Sequence, residues 1–220
     1  MYQTAQLVGQ LADSVGAFKL GLEFFTANGA ESVQHIAIGS QLPIFLDLKF
    51  HDIPNTVAGA IRATAGIDAF MMTVHTAGGK AMLRAAVDAS MEVAAMTGKE
   101  RPLIVGVTVL TSFDRDDLAA TGITDTMQDQ VMRLADLAQQ SGLDGVVCSP
   151  HEIALLRRQC GAEFKLIVPG IRPAGSDTGD QKRVTTPQEA LANGADYLVI
   201  GRPITAAPDA REAALNILRE

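Results

Sequence analysis

Asp47, Lys49 and Asp52 form the sequence Asp-x-Lys-x-x-Asp inside the stretch from Pro43 to Thr56, PIFLDLKFHDIPNT. An ammonium beside carboxylates can hand over a proton and stabilise a negative charge as it develops. Ile44, Phe45, Leu46 and Leu48 make an apolar run of the length expected for a strand buried on both faces. Alternation puts Phe45, Asp47 and Lys49 on one face of that strand and Ile44, Leu46 and Leu48 on the other. An acid and a base therefore sit side by side at the strand's carboxyl end. An isolated Asp-x-Lys is commonly a structural ion pair. Here a second acid, Asp52, follows in the loop that leads into a helix over Thr56–Ala63, with Pro54 suited to the helix start. Strand-to-helix loops are where α/β enzymes place their chemistry.

The elements that must position these residues alternate without a break. Strands are predicted at Ala17–Gly21, Ile44–Leu48, Ala69–His75, Leu103–Val109, Gly145–Cys148, Lys165–Pro169 and Asp196–Ile200. Helices are predicted over Met1–Ser14, from Glu23 to about Ile38, at Thr56–Ala63, from Gly79 to about Met96, over Asp125–Gln140 and Pro150–Gln159, from Thr186, and over Thr205–Arg219. Apolar strands alternating with helices mean a parallel sheet covered on both faces. Polar residues recur at strand carboxyl ends (Lys19, Asp47, Lys49, His75, Thr111, Arg172, Arg202), which favours a closed barrel whose loops share one mouth. A doubly wound sheet would show a Gly-rich fingerprint after its first strand, and the sequence has none there.

The last two strands run into Pro169-Gly170-Ile171-Arg172-Pro173 and Gly201-Arg202-Pro203-Ile204. A glycine lets backbone approach a ligand, a helix start offers free N–H groups to an anion, and barrels hold phosphate in these loops. Each segment alone could be an ordinary turn. Gly170–Arg183, rich in glycine and poor in apolar residues, is the candidate lid. Thr111 and Ser112 could equally cap the helix that follows them.

Taken with Ile-Pro-Asn-Thr, the central motif closely resembles the signature of the orotidine 5'-phosphate decarboxylase family, a likeness that runs from Lys19 to Thr205. The resemblance implies a single-domain (β/α)8 TIM barrel of the phosphate-binding type over 1–220 that decarboxylates orotidine 5'-monophosphate to uridine 5'-monophosphate without a cofactor. It implies a charged row of Lys19, Asp47, Lys49 and Asp52, with Lys49 protonating C6. The last member comes from the neighbouring subunit of a homodimer, so Asp52 and Thr56 would reach the neighbour's site. Ile53 is carried over as a binding residue with them. Gly201, Arg202 and Gln181 would hold the phosphate, Thr111 would lie near the pyrimidine, and Arg172 would either bind or stabilise its loop. Related metal-dependent phosphosugar barrels share Asp-x-Lys-x-x-Asp but carry an acid where this chain has Lys19.

Two other functions stay open on the residues: a metal-dependent phosphosugar lyase or epimerase, and a non-catalytic binder of a phosphate ligand. The net charge of −7 argues against nucleic acid or an anionic membrane as main partner. No apolar run reaches membrane-span length and the amino terminus lacks a secretory layout, which together point to the cytoplasm. The histidines lack metal-ligand spacing, so no metal site is assigned, and Cys148 and Cys160 read as buried small hydrophobes. Eight helices against seven strands leave the barrel without its first strand. We expect an upstream extension on the order of 10–25 residues, a short apolar run ending in an Asp that contacts the ribose.

Overall fold

The computed structural model describes residues 1–173 and 185–219. Seven strands form one parallel sheet in chain order: β1 (Phe18–Gly21), β2 (Ile44–Phe50), β3 (Ala69–His75), β4 (Leu103–Val107), β5 (Gly145–Val147), β6 (Lys165–Pro169) and β7 (Tyr197–Val199). The helices between and around them are α1 (Tyr2–Leu11), α2 (Leu22–Ser40), α3 (Pro54–Ala63), α4 (Gly79–Thr97), α5 (Arg115–Ala120), α6 (Met127–Gln140), α7 (Ile153–Cys160), α8 (Pro187–Ala192), α9 (Arg202–Thr205) and α10 (Ala210–Arg219).

The sheet curls back on itself. Phe70 on β3 and Tyr197 on β7 are four strands apart in the sheet, yet their ring centroids lie 6.0 Å apart. Among the described residues no ladder joins β7 to β1, so the architecture is a nearly closed TIM barrel one strand short of eight. On the outside of this seam, α1 and α10 pack through a separate apolar cluster of Leu11, Ile204, Ala210 and Ala214. Asp13 and Arg211 tie the same two ends together at 3.1 Å.

Alternation along the strands divides the core in two. Phe45, Met71, Val105 and Ile167 point inward and fill the barrel. Ile44, Leu46, Met72 and Val74 point outward beneath Val57 and Ile61 of α3 and Met82, Leu83 and Ala86 of α4. At roughly 1.5–3 kcal/mol per buried large aliphatic side chain, these two layers dominate the stabilisation. Cys148 and Cys160 are free, buried members of the outer layer.

A Gly-x-Asp step precedes alternate strands: Gly66-Ile67-Asp68 before β3, Gly142-Leu143-Asp144 before β5, and Gly194-Ala195-Asp196 before β7. In the last two the carboxylate clamps the preceding strand. Asp144 accepts from the Ile104 N–H at 2.7 Å and from the Arg101 guanidinium at 3.0 Å. Asp196 accepts from the Leu166 N–H at 2.8 Å and from Arg157 at 2.5 Å. Both clamps sit at the amino-terminal ends of the strands, opposite the loops that carry the candidate chemistry.

The structure corrects three expected boundaries. β4 stops at Val107, because Thr108 turns its hydroxyl to the Val147 carbonyl at 3.1 Å and a turn over Leu110–Phe113 follows. α5 was not expected; Asp114 caps it by accepting from the Asp116 and Asp117 N–H groups, and Asp117 returns the bond to the Asp114 N–H. The expected helix over Thr205–Arg219 begins only at Ala210, as α10, after the short α9 that ends at Thr205. Pro208 lacks the N–H a continuous helix would need, and Asp209 caps the second piece by accepting from the Glu212 N–H at 2.9 Å. Among the described residues, no helix is long and apolar enough to cross a membrane.

Candidate active site

Asp47 lies near the carboxyl end of β2 and faces into the barrel. Only 9% of the residue is exposed. A carboxylate at that depth is stable only if its charge is matched, and three neighbours match it. The Lys49 ammonium lies 2.8 Å from Oδ1 and 2.9 Å from Oδ2. Lys19, from the next strand in the sheet, donates to Oδ2 at 3.2 Å. The Thr73 hydroxyl on β3 donates to Oδ1 at 2.9 Å. Burial alone would raise the Asp47 pKa, but the Lys49 hydrogen bond, the Lys19 and Lys49 charges and the Thr73 hydroxyl outweigh it and hold the carboxyl below its ordinary range.

Lys49 does not reach Asp47 by plain strand alternation. Its backbone has φ 51°, in the left-handed region that side chains other than glycine seldom adopt, at a cost of about 1–3 kcal/mol. The β2–β3 register breaks at the same place: Leu46 pairs with Met72, and the next pair is Phe50 with Val74. Extra residues on one strand make a bulge, a device that re-aims a side chain beside a functional site. The Lys49 N–H, turned away from any main-chain partner on β3, donates to the Thr73 hydroxyl at 2.8 Å.

These groups open into a cavity at the carboxyl ends of the strands. Lys19, Asp47 and Lys49 stand on one wall; Thr111, Pro169 and Val199 line it from other strands and loops, and the inward Phe45 and Ile167 form its floor. It is a charged cluster set in an apolar cup, where electrostatic effects on a reacting group are strongest. His75, at the end of β3, is half-buried with its ring 5.4 Å from that of His51. Burial first, then the nearby His51 and Lys49 charges, hold its pKa below 6.5 against an opposing pull from Asp47.

The structure thus gathers Lys19, Asp47, Lys49 and Thr111 around one cavity. It keeps the other expected residues that it describes apart from that cluster. Asp52, Ile53 and Thr56 lie on an exposed stretch at the start of α3, where the Asp52 carboxylate accepts from the Ile53 N–H at 2.6 Å. Ile53 is 67% exposed, an unusual position for an isoleucine. Arg172 is buried, donating to the Ile171 carbonyl at 2.9 Å beside the Ile171–Thr185 bridge. Gly201 and Arg202 are exposed at the start of α9, two and three residues beyond Val199 in the cavity wall, and a Cβ added to Gly201 would meet open space. Gln181 and most of the expected lid, Gly170–Arg183, lie outside the described residues. Among those described, no three His, Cys, Asp or Glu side chains are grouped as a metal site.

Sequence reasoning passed over Thr73. Its signal was available: it is the one hydroxyl residue in the strand AFMMTVH, and alternation from the inward Met71 aims it into the barrel. What could not be read was its contact with the Lys49 N–H, which depends on the bulge.

The sequence model of the Orotidine 5'-phosphate decarboxylase / HUMPS family matches residues 2–217. The orotidine 5'-phosphate decarboxylase of Rhodospirillum rubrum is 53% identical to this chain over 214 residues, covering 97% of this chain and 87% of its own length. That of Moorella thermoacetica is 55% identical over 216 residues, covering 98% and 85%. Among solved structures, orotidine 5'-phosphate decarboxylase from Lactobacillus acidophilus has a TM-score of 0.87 at 36% identity, covering 99% of this chain and 92% of that one. The structure of the Pyrococcus horikoshii protein of the same name has a TM-score of 0.78 at 23% identity, a likeness of fold.

Proposed function

The chain belongs to the orotidine 5'-phosphate decarboxylase / HUMPS family, and from that premise we propose that Lys49 is the proton donor in the conversion of orotidine 5'-monophosphate to uridine 5'-monophosphate and carbon dioxide. The enzyme is a carboxy-lyase of de novo pyrimidine biosynthesis. The observation that carries the assignment of Lys49 is its ammonium, held on both oxygens of a buried Asp47 at the wall of an otherwise apolar cavity.

In this reading the bond between C6 and the carboxylate breaks, and its electron pair stays on C6 while carbon dioxide leaves. The Lys49 ammonium faces the developing carbanion, lowers its energy and delivers a proton to C6; the resulting amine recovers a proton from water. Asp47 keeps Lys49 aimed and stands against the departing carboxylate. Lys19 balances the second carboxylate oxygen. Phosphate contacts from Gly201, Arg202 and Gln181, with Arg172 supporting their loop, supply binding energy remote from the bond that breaks. Thr111 lies over the pyrimidine side of the cavity.

The protein acts as a homodimer in which Asp52, Ile53 and Thr56 enter the neighbouring site. Their exposure on one stretch, away from the Lys19–Asp47–Lys49 cluster of their own chain, supports this reading. The chain works as a single barrel domain in the cytoplasm, with a nucleotide and not a nucleic acid as its partner.

The test is the loss of orotidine absorbance from orotidine 5'-monophosphate, with uridine 5'-monophosphate identified as product, in the presence of a chelator. Turnover that persists is the expected result. Activity abolished by the chelator and restored by a divalent cation would overturn the cofactor-independent scheme in favour of metal-dependent phosphosugar-type chemistry.

A further inference from the structure

Thr73 stands between the two residues assigned to the chemistry. It is fully buried, on β3, and its hydroxyl makes two bonds of opposite sense. The Asp47 carboxylate can only accept and the Lys49 main-chain N–H can only donate, so the direction of each bond is fixed by the partners. The hydroxyl gives its proton to Asp47 Oδ1 at 2.9 Å and takes the Lys49 N–H at 2.8 Å. It does so where β2 bulges and Lys49 adopts a left-handed backbone, a conformation that persists only when its surroundings hold it.

We infer that Thr73 is a positioning residue for the decarboxylation: its hydroxyl fixes the Asp47 carboxylate and the Lys49 backbone to each other, and so sets where the Lys49 ammonium points. The inference rests on the roles proposed above for Asp47 and Lys49. Without the hydroxyl, Oδ1 loses a donor and the Lys49 N–H loses its acceptor. The Lys49 backbone then loses its tie to Thr73 within the bulge, and the ammonium is free to follow a relaxed backbone. Displacement of a reacting group by about 1 Å can cost on the order of 10²-fold in rate. Binding of the nucleotide through its phosphate should be untouched, because Gly201 and Arg202 lie on the other side of the mouth, beyond β7.

The experiment compares Thr73→Val, which keeps the shape and removes the hydroxyl, with Thr73→Ser, which keeps the hydroxyl, using Lys49→Ala as the reference for the chemistry itself. We expect Thr73→Val to lower kcat by roughly 10–100-fold while KM and the affinity for uridine 5'-monophosphate change less than about threefold. Thr73→Ser should recover most of kcat. The acid limb of the kcat–pH profile should move to higher pH in Thr73→Val, since Asp47, which also faces Lys19, Lys49 and His75, loses one group that favours its charged form. Should Thr73→Val fail to fold, Thr73→Ala, which leaves room for a water, serves in its place with the same expected loss.

Near wild-type kcat and an unmoved acid limb in the hydroxyl-free variants, beside an inactive Lys49→Ala, would overturn the role of Thr73 and leave the mechanism standing. Equal impairment of the serine and valine variants would also overturn it, since the loss would then be one of packing. An active Lys49→Ala would instead remove the premise.

Discussion

The Lys49 ammonium is bound to both oxygens of Asp47, at 2.8 and 2.9 Å, although only one residue separates the two along the chain. Neighbours on one face of a regular strand do not meet end to end in this way. Here the positive φ of Lys49 brings the longer side chain back over the shorter. The result is an ammonium held in place by an acid that is itself nearly inaccessible to solvent.

Replacing Lys49 by alanine removes the proton and the cation together. Loss of a general acid alone costs roughly 10²–10⁴-fold, and the lost charge adds to it. Decarboxylation should be abolished in a steady-state assay, while calorimetric titration with uridine 5'-monophosphate should show affinity close to wild type. Near wild-type turnover would exclude Lys49 as donor.

Asp52 lies on the surface of its own chain, so its contribution can be assigned to a subunit by complementation. Mixing inactive Lys49→Ala and Asp52→Ala proteins under conditions of subunit exchange should restore about a quarter of wild-type activity, because half of the dimers are hybrids and each hybrid has one intact site. Absence of recovery after exchange has been verified by mass spectrometry would place the two residues in the same site of one chain.

Asp47 should leave a mark on acid stability. Its pKa in the folded chain lies below the ordinary 3.8, so the folded state holds the ionised form more strongly than the unfolded state does. That stabilisation is complete above the unfolded value and is lost as pH falls through the depressed folded one. Urea unfolding of the wild type and of Asp47→Asn, followed from about pH 5 down to about pH 2, should show the wild type losing stability more steeply below pH 3.8. Parallel curves would show that the ion cluster gives no net preference for the charged carboxylate.

Asp144 should behave as a residue of stability alone. Its carboxylate satisfies the Ile104 N–H and the half-buried Arg101 at the barrel end opposite the cavity. Asp144→Ala leaves the Ile104 N–H without this acceptor and takes the ion partner from Arg101, and should destabilise the protein by about 2–4 kcal/mol, visible as a lower urea midpoint. The kcat measured well below the new melting temperature should stay within about twofold of wild type. A large fall in kcat at full foldedness would mean that the clamp also shapes the mouth.

The one-dimensional pattern was sufficient wherever a single periodicity or a single motif decided the outcome. Apolar strands alternating with helices dictated a parallel sheet, since only a sheet covered on both faces hides such strands, and polar residues at the strand carboxyl ends favoured its closure into a barrel. The seven strands fell where their apolar runs fell, and Asp-x-Lys-x-x-Asp picked out two residues that line the cavity, Asp47 and Lys49. Helix breaks set by local chemistry were partly hidden: the Asp114 cap and the Pro208 stop each needed a reading finer than hydrophobic periodicity. What only the tertiary structure decided was how the charges meet. Strand alternation puts Asp47 and Lys49 on one face but says nothing of a bulge, because a bulge depends on the register with the neighbouring strand. Thr73 is 24 residues from Lys49 and 26 from Asp47 in the chain, and bonds both. Its bond to the Lys49 N–H exists only because β2 and β3 pair out of step there, a long-range fit between two strands that no local spacing encodes.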